Sequence, residues 1–211
     1  MGEPLWLYRL RTVTGSELLA GLMGFGAGWM QARIVPKLNL SKVGAQLLVP
    51  FLLVFGIALP YLKPIFRPLH TSNLREIWQD NVCLQSSFST CGPASAATVL
   101  RNLGGNVSER ELAEESFSCS SGTENWYLAR ALRRRGFMTT FVRDERFRSL
   151  PAIAGVRLKQ ADNSGHFIAL LEWQGDRLVT GDPMVGRSTN TLAELREKYD
   201  FTGFAMLVRR K

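Results

Sequence analysis

Residues 82–105 read VCLQSSFSTCGPASAATVLRNLGG, and the reading of the whole chain turns on this stretch. Pro93 suits the first turn of a helix, because the N–H it lacks is one that a helix start leaves unpaired. Ala94, Ala97, Val99, Leu100 and Leu103 then form an apolar face, and Gly104 and Gly105 end the helix. Cys91 therefore stands at the mouth of a helix N-terminus, where partial positive charge favours the thiolate, the nucleophilic form. Six residues earlier, Gln85 is placed to return its amide to the same spot as an oxyanion donor.

Toward the C-terminus, His166 opens the strand-like run HFIALLEW, Gly175-Asp176 makes a two-residue turn, and RLVTGDP follows as a hairpin partner. A hairpin brings the start of its first strand to the end of its second, so His166 and Asp182 face each other at the open end. That suits an aspartate that orients an imidazole. Further strands are expected at Met138–Arg143, Ala152–Leu158 and Ala205–Arg209. Ser108 and Glu111 form a capping box for a short helix within Val107–Ser116. Arg130, Arg133, Arg134 and Arg135 read as the solvated last turns of a helix that starts near Thr123 and stops at Gly136. His70 has no partner pattern and reads as an interface residue. Cys83 and Cys119 lack any C-x-x-C spacing, so no zinc site is expected. They are read as free thiols, with a Cys83–Cys119 bond as the alternative in an oxidising compartment.

Three segments, QSSFSTCGPASAATVLRNLGG, GHFIALLEWQGDRLVTGDPMVGR and FTGFAMLV, together resemble the bacteriocin-processing, double-glycine-leader cysteine peptidases of papain-like fold, peptidase family thirty-nine, from about Asp80 to Val208. The resemblance implies an α+β fold in which the helix bearing the nucleophile packs on an antiparallel sheet. It implies Cys91 as nucleophile, His166 as general base and then acid, Asp182 as its orienter and Gln85 as oxyanion donor. It implies a peptide or protein precursor as substrate, cut after a Gly-Gly pair, with no metal or organic cofactor. Members of this family are commonly the N-terminal domain of an export transporter, whereas here the matching region is C-terminal and no GxxxxGK[ST] motif follows. Two other readings stay open: a papain-like acyl transferase of transglutaminase type, and a catalytically silent peptide-binding module.

The chain has 211 residues, 45% hydrophobic and 21% charged, with a formal net charge of +8. That excludes a disordered tail, a collagen repeat and a disulfide-dense toxin. Residues 1–75 hold 8 Lys+Arg against 2 Asp+Glu, and residues 76–211 hold 18 against 16. Basic excess confined beside long apolar runs reads as membrane-flanking charge, so no nucleic-acid partner is expected. Val43–Leu62 runs twenty residues without a charge, the length of a transmembrane helix, with Lys42, Tyr61 and Lys63 as interface anchors. Leu18–Met30 is too short to cross alone, yet Gly24 and Gly28 have the spacing of closely packed membrane helices. One or two membrane spans are thus both open, and with them the side on which the C-terminal part lies. The expected organisation is a membrane-anchoring region, residues 1–74, with a tether at 63–74, followed by a peptidase domain at 75–211. On this reading the chain is an integral protein of a bacterial inner membrane. Its partners are then the lipid bilayer and an export or assembly system there.

Overall fold

Alternation builds the sheet. In β3 (Phe137–Arg143), Phe137, Thr139 and Phe141 are buried while Met138 and Thr140 face out, the period-two pattern of a half-buried strand. The computed structural model describes residues 4–34, 59–160 and 164–211. Within them, β3 joins β4 (Ala152–Leu158), β5 (Gly165–Gln174), β6 (Arg177–Asp182), β7 (Gly186–Asn190) and β8 (Tyr199–Arg210) in a six-stranded sheet ordered β3-β8-β4-β5-β6-β7. All five pairings are antiparallel. A small hairpin of β1 (Ile77–Gln79) and β2 (Val82–Leu84) stands apart. Its turn is Asp80-Asn81, with φ of 48° and 63°, the left-handed pair that a tight hairpin turn requires.

One sheet face carries the helix that begins at Cys91 (Cys91–Asn102), which packs on β4, β5 and β6. The core there joins Leu100, Leu128, Ile153, Ala169 and Met206. The opposite face holds Ile168, Leu170, Leu178 and Leu195, the last from a short helix, Leu192–Lys198. At Gly181 the sheet and the Cys91 helix come closest: a Cβ there would lie 2.9 Å from Thr98 Cγ2 and 3.0 Å from a Val82 methyl. Glycine is what lets β6 run under the helix with Asp182 at its end.

Numbered in chain order, the helices are α1 (Leu5–Arg11), α2 (Ser16–Ile34), α3 (Leu59–Phe66), α4 (Cys91–Asn102), α5 (Glu109–Glu115), α6 (Asn125–Arg134) and α7 (Leu192–Lys198). Ser108 and Glu111 close the capping box of α5. The last strand is longer than its apolar run, because a register shift between Ala154 and Val156 lets β8 continue along β4 back to Tyr199.

The arginine cluster is a solvated face only in part: Arg134 is exposed, whereas Arg130 is not. Arg130 is 8% exposed, and its guanidinium donates to Arg11 O, Val13 O, Ser16 Oγ and Glu17. Arg135 pairs with Glu111 and Glu115, and Arg133 bonds Thr139. The reason is geometric: Arg130 lies one helical turn from Trp126, on the face of α6 that meets the N-terminal segment.

The expectation of an integral membrane protein is corrected for the described residues. Among the described residues no helix is long and apolar enough to cross a membrane. Helix α2 takes in Leu18–Met30 but carries Glu17 and Arg33 at its ends, and Glu17 is spent on Arg130. The expected span Val43–Leu62 lies outside the described residues up to residue 58; Leu59–Leu62 belong to α3. Of the expected interface anchors, Lys42 lies outside the described residues, and the other two serve the fold. Tyr61 meets Ser16 Oγ at 3.1 Å, with its ring tilted against Trp126 and edge-on to Tyr127, and Lys63 pairs with Glu124 at 2.6 Å. The expected tether is also held down: Arg110 bonds the carbonyls of Ser72 and Leu74, and Pro68 bridges Cys119.

Candidate active site

Cys91 is the first residue of α4, and Gly92 beside it packs so closely that a Cβ would touch Thr123, Leu128 and Phe167. The first N–H groups of a helix have no partner within it, so the backbone at Cys91 presents donors as well as a thiol. His166, at the start of β5, is 5% exposed, and Asp182, at the end of β6, is 3% exposed. The hairpin brings them together: His166 Nε2 and Asp182 Oδ1 are 2.8 Å apart. Cys91 and His166 line one cleft of about 370 Å³. Gln85 is tied to the same corner, since its backbone N–H donates to Pro183 O at 2.9 Å, and its side-chain oxygen is buried without a hydrogen-bond donor among the described residues.

The electrostatics follow from burial and partners. Burial alone would discourage a charged His166, but hydrogen bonds and charge attraction from Asp182 and Cys91 outweigh it and hold the imidazolium pKa up to about 9. Burial likewise opposes the Asp182 carboxylate. Hydrogen bonds from His166, Tyr199 and the Met184 N–H more than offset this, and its carboxyl stays below the usual carboxylate range. Cys83 is a contrast, for burial and the nearby Glu109 push its thiol up to about 12. All three cysteines are free, so the alternative Cys83–Cys119 bond is not made.

Sequence reasoning missed one residue of this constellation. Tyr199, first in β8, donates its hydroxyl to Asp182 Oδ2 at 2.5 Å, while Met184 N–H bonds Oδ1 at 2.7 Å. Both carboxylate oxygens are therefore engaged, and the ring of His166 has a fixed partner. The only local signal is that a buried tyrosine hydroxyl generally needs an acceptor. Among the described residues no group of acidic, histidine and cysteine side chains is arranged to hold a metal ion.

Comparison with known proteins accords with this geometry. Residues 79–211 match the model of the Peptidase C39 family. An uncharacterized protein of Methanothermobacter thermautotrophicus is 34% identical over 129 residues, covering 61% of this chain and 88% of the relative. A second, from Methanothermobacter marburgensis, is 36% identical over 129 residues, 60% and 87% of the two chains. Among solved structures, the peptidase domain of Streptococcus ComA, a bifunctional ABC transporter of quorum sensing, aligns at a TM-score of 0.52 with 24% identity, over 61% of this chain and 96% of that one. A double-glycine-motif protease from an AMS/PCAT transporter, solved with a leader peptide, aligns at 0.52 with 21% identity, over 65% and 92%. The fold is thus the α+β fold of these peptidase domains, and the chain belongs to the Peptidase C39 family.

Proposed function

We propose that this protein is a cysteine endopeptidase that cuts a peptide or protein precursor after a Gly-Gly pair or a similar small-residue site. The observation that carries the reading is the buried His166–Asp182 pair at 2.8 Å opening onto the cleft that Cys91 lines. With Nε2 engaged by Asp182, the other ring nitrogen, Nδ1, is the one left to take the proton of the Cys91 thiol.

Sulfur attacks the carbonyl carbon of the scissile bond, and the oxyanion is held by the Cys91 backbone N–H and the Gln85 carboxamide. A single donor of this kind is worth about 10² to 10³ in rate. His166 gives its proton to the departing amine, leaving a thioester on Cys91. Water, deprotonated by His166, then attacks the thioester and releases the acid and the thiol. Asp182 fixes the tautomer throughout, and Tyr199 fixes Asp182.

The test is hydrolysis of a fluorogenic Gly-Gly coumarylamide by the full chain. We expect turnover that Cys91→Ala abolishes and His166→Ala reduces by at least about 10²-fold. Equal rates for wild type and Cys91→Ala overturn the proposal.

A further inference from the structure

The cleft does not end at the residues the family shares. Three of its lining residues, Leu5, Tyr8 and Lys63, precede the matched region 79–211. Tyr8 meets Phe204 edge-on at 5.4 Å between ring centroids, and Phe204 in turn meets Phe167 at 6.4 Å, next in sequence to His166. An aromatic row thus runs from the N-terminal helix to the catalytic corner.

Sharing Tyr8, Lys63 and Asn125 with the cleft, a neighbouring side pocket of about 210 Å³ is walled also by Arg11 and Trp126. These walls are fixed. Tyr8 packs on Trp126 and Phe141, the Arg11 guanidinium lies 4.5 Å from the Trp126 ring centroid, and Arg130 clamps the turn between α1 and α2. Two groups on the α6 wall are left over. Trp126 is 2% exposed, yet among the described residues its indole N–H meets no acceptor. Asn125 Oδ1, next to it in sequence, is buried without a donor among the described residues. Leaving either unmade costs on the order of 1–3 kcal/mol, and neither is explained by the fold of the described residues.

We propose that this side pocket is a second subsite for the peptide substrate, built by the N-terminal segment against α6. The leftover pair, one donor and one acceptor, is the complement of the N–H and C=O that one residue of an extended chain turns to the same side: that residue's carbonyl accepts from Trp126 Nε1 and its N–H donates to Asn125 Oδ1. The aromatic row from Phe167 to Tyr8 leads the chain there from the cut. The subsite reads main chain, so it selects for an extended peptide long enough to reach it and tolerates sequence variation. This inference rests on the peptidase reading for the identity of its ligand.

The experiment uses the full chain and coumarylamides ending in Gly-Gly, with zero to six further residues ahead of the pair. In wild type, kcat/KM rises with length once the peptide reaches the pocket. Trp126→Phe keeps the ring and removes the donor, and we expect it to lower the ratio of long to short kcat/KM by about 5–10-fold, mainly through KM. Asn125→Ala, at the half-exposed start of α6, gives the same change if Trp126→Phe fails to fold. An unchanged ratio in folded variants overturns the proposal. A parallel measurement, calorimetric binding of the longest peptide as its free acid to the Cys91→Ala chain, separates this inference from the reading beneath it. Binding that weakens with Trp126→Phe in a chain that cleaves nothing keeps the subsite and rejects the peptidase. Cleavage that ignores peptide length does the reverse.

Discussion

Two regions of this molecule bury polar groups, and they do so to different ends. At the open end of the β5–β6 hairpin, His166, Asp182 and Tyr199 are all under 10% exposed and satisfy one another. At the junction of α1, α2 and α6, one buried guanidinium, that of Arg130, serves two carbonyls, a hydroxyl and a carboxylate. The first cluster adjoins a thiol that lines the same cleft; in the second, Arg130 Nε is without a partner among the described residues. On the proposed reading, buried polar chemistry marks a reactive site where a nucleophile adjoins it, and a fastener where none does.

The contrast can be broken from either side. Asp182→Asn keeps the shape of the hairpin but not the charge that orients His166, and kcat on a Gly-Gly coumarylamide is expected to fall by on the order of 10²-fold or more. On the other side, Arg130→Met strands two carbonyls and the Glu17 carboxylate. We expect about 2–3 kcal/mol lost in urea titration, with the earliest proteolytic cuts falling within residues 4–17. If those cuts fall in the sheet instead, the fastener account fails.

Gly181→Ala probes the packing of β6 under α4, because its new methyl would lie 2.9 Å from Thr98 Cγ2, closer than packed Cβ atoms come, and 3.0 Å from a Val82 methyl. Overpacking of this kind costs about 1–3 kcal/mol, measurable as a lower denaturation midpoint. Tyr199→Phe is milder: removing one hydrogen bond to Asp182 is expected to lower kcat by up to about 10-fold and to shift the pH profile, which a purely structural role would leave in place.

The smallest effect is on stability against pH. The pKa of His166 is raised in the folded chain from its ordinary 6.5 to about 9, so its contribution is complete below 6.5 and fades as pH rises through about 9. Asp182, held low, contributes above its ordinary 3.8 and loses that contribution as pH falls. Melting temperature is expected to decline between pH 6.5 and 9 in the wild type, and His166→Gln removes that slope.

Much of the hairpin was legible because its polar residues punctuate strongly patterned elements: a cysteine before a helix-starting proline, a histidine opening an apolar strand, an aspartate closing its partner. Tyr199 was not legible, since its place depends on how far β8 runs along β4, which a register shift decides. Strand β7, GRSTN, sits at the sheet edge with one of its five residues, Gly186, buried and shows no apolar alternation to read. The Asp80-Asn81 turn did carry a signal, two residues tolerant of positive φ between β-formers. For the N-terminal segment, apolar composition says that surface leaves water but not what covers it. Tyr8 and Tyr61 are covered by the peptidase domain itself. Arg130, at helical spacing from Trp126, was the residue whose burial would have revealed this.

The central claim is that Cys91 makes this chain a peptidase of small-residue sites. It is tested most directly by incubating the purified full chain, and separately its Cys91→Ala variant, with a proteome-derived peptide library and reading the new N-termini by mass spectrometry. The account predicts new termini preceded by Gly-Gly or another small pair, present with the wild type and absent with Cys91→Ala. Identical sets of termini from the two proteins would contradict it.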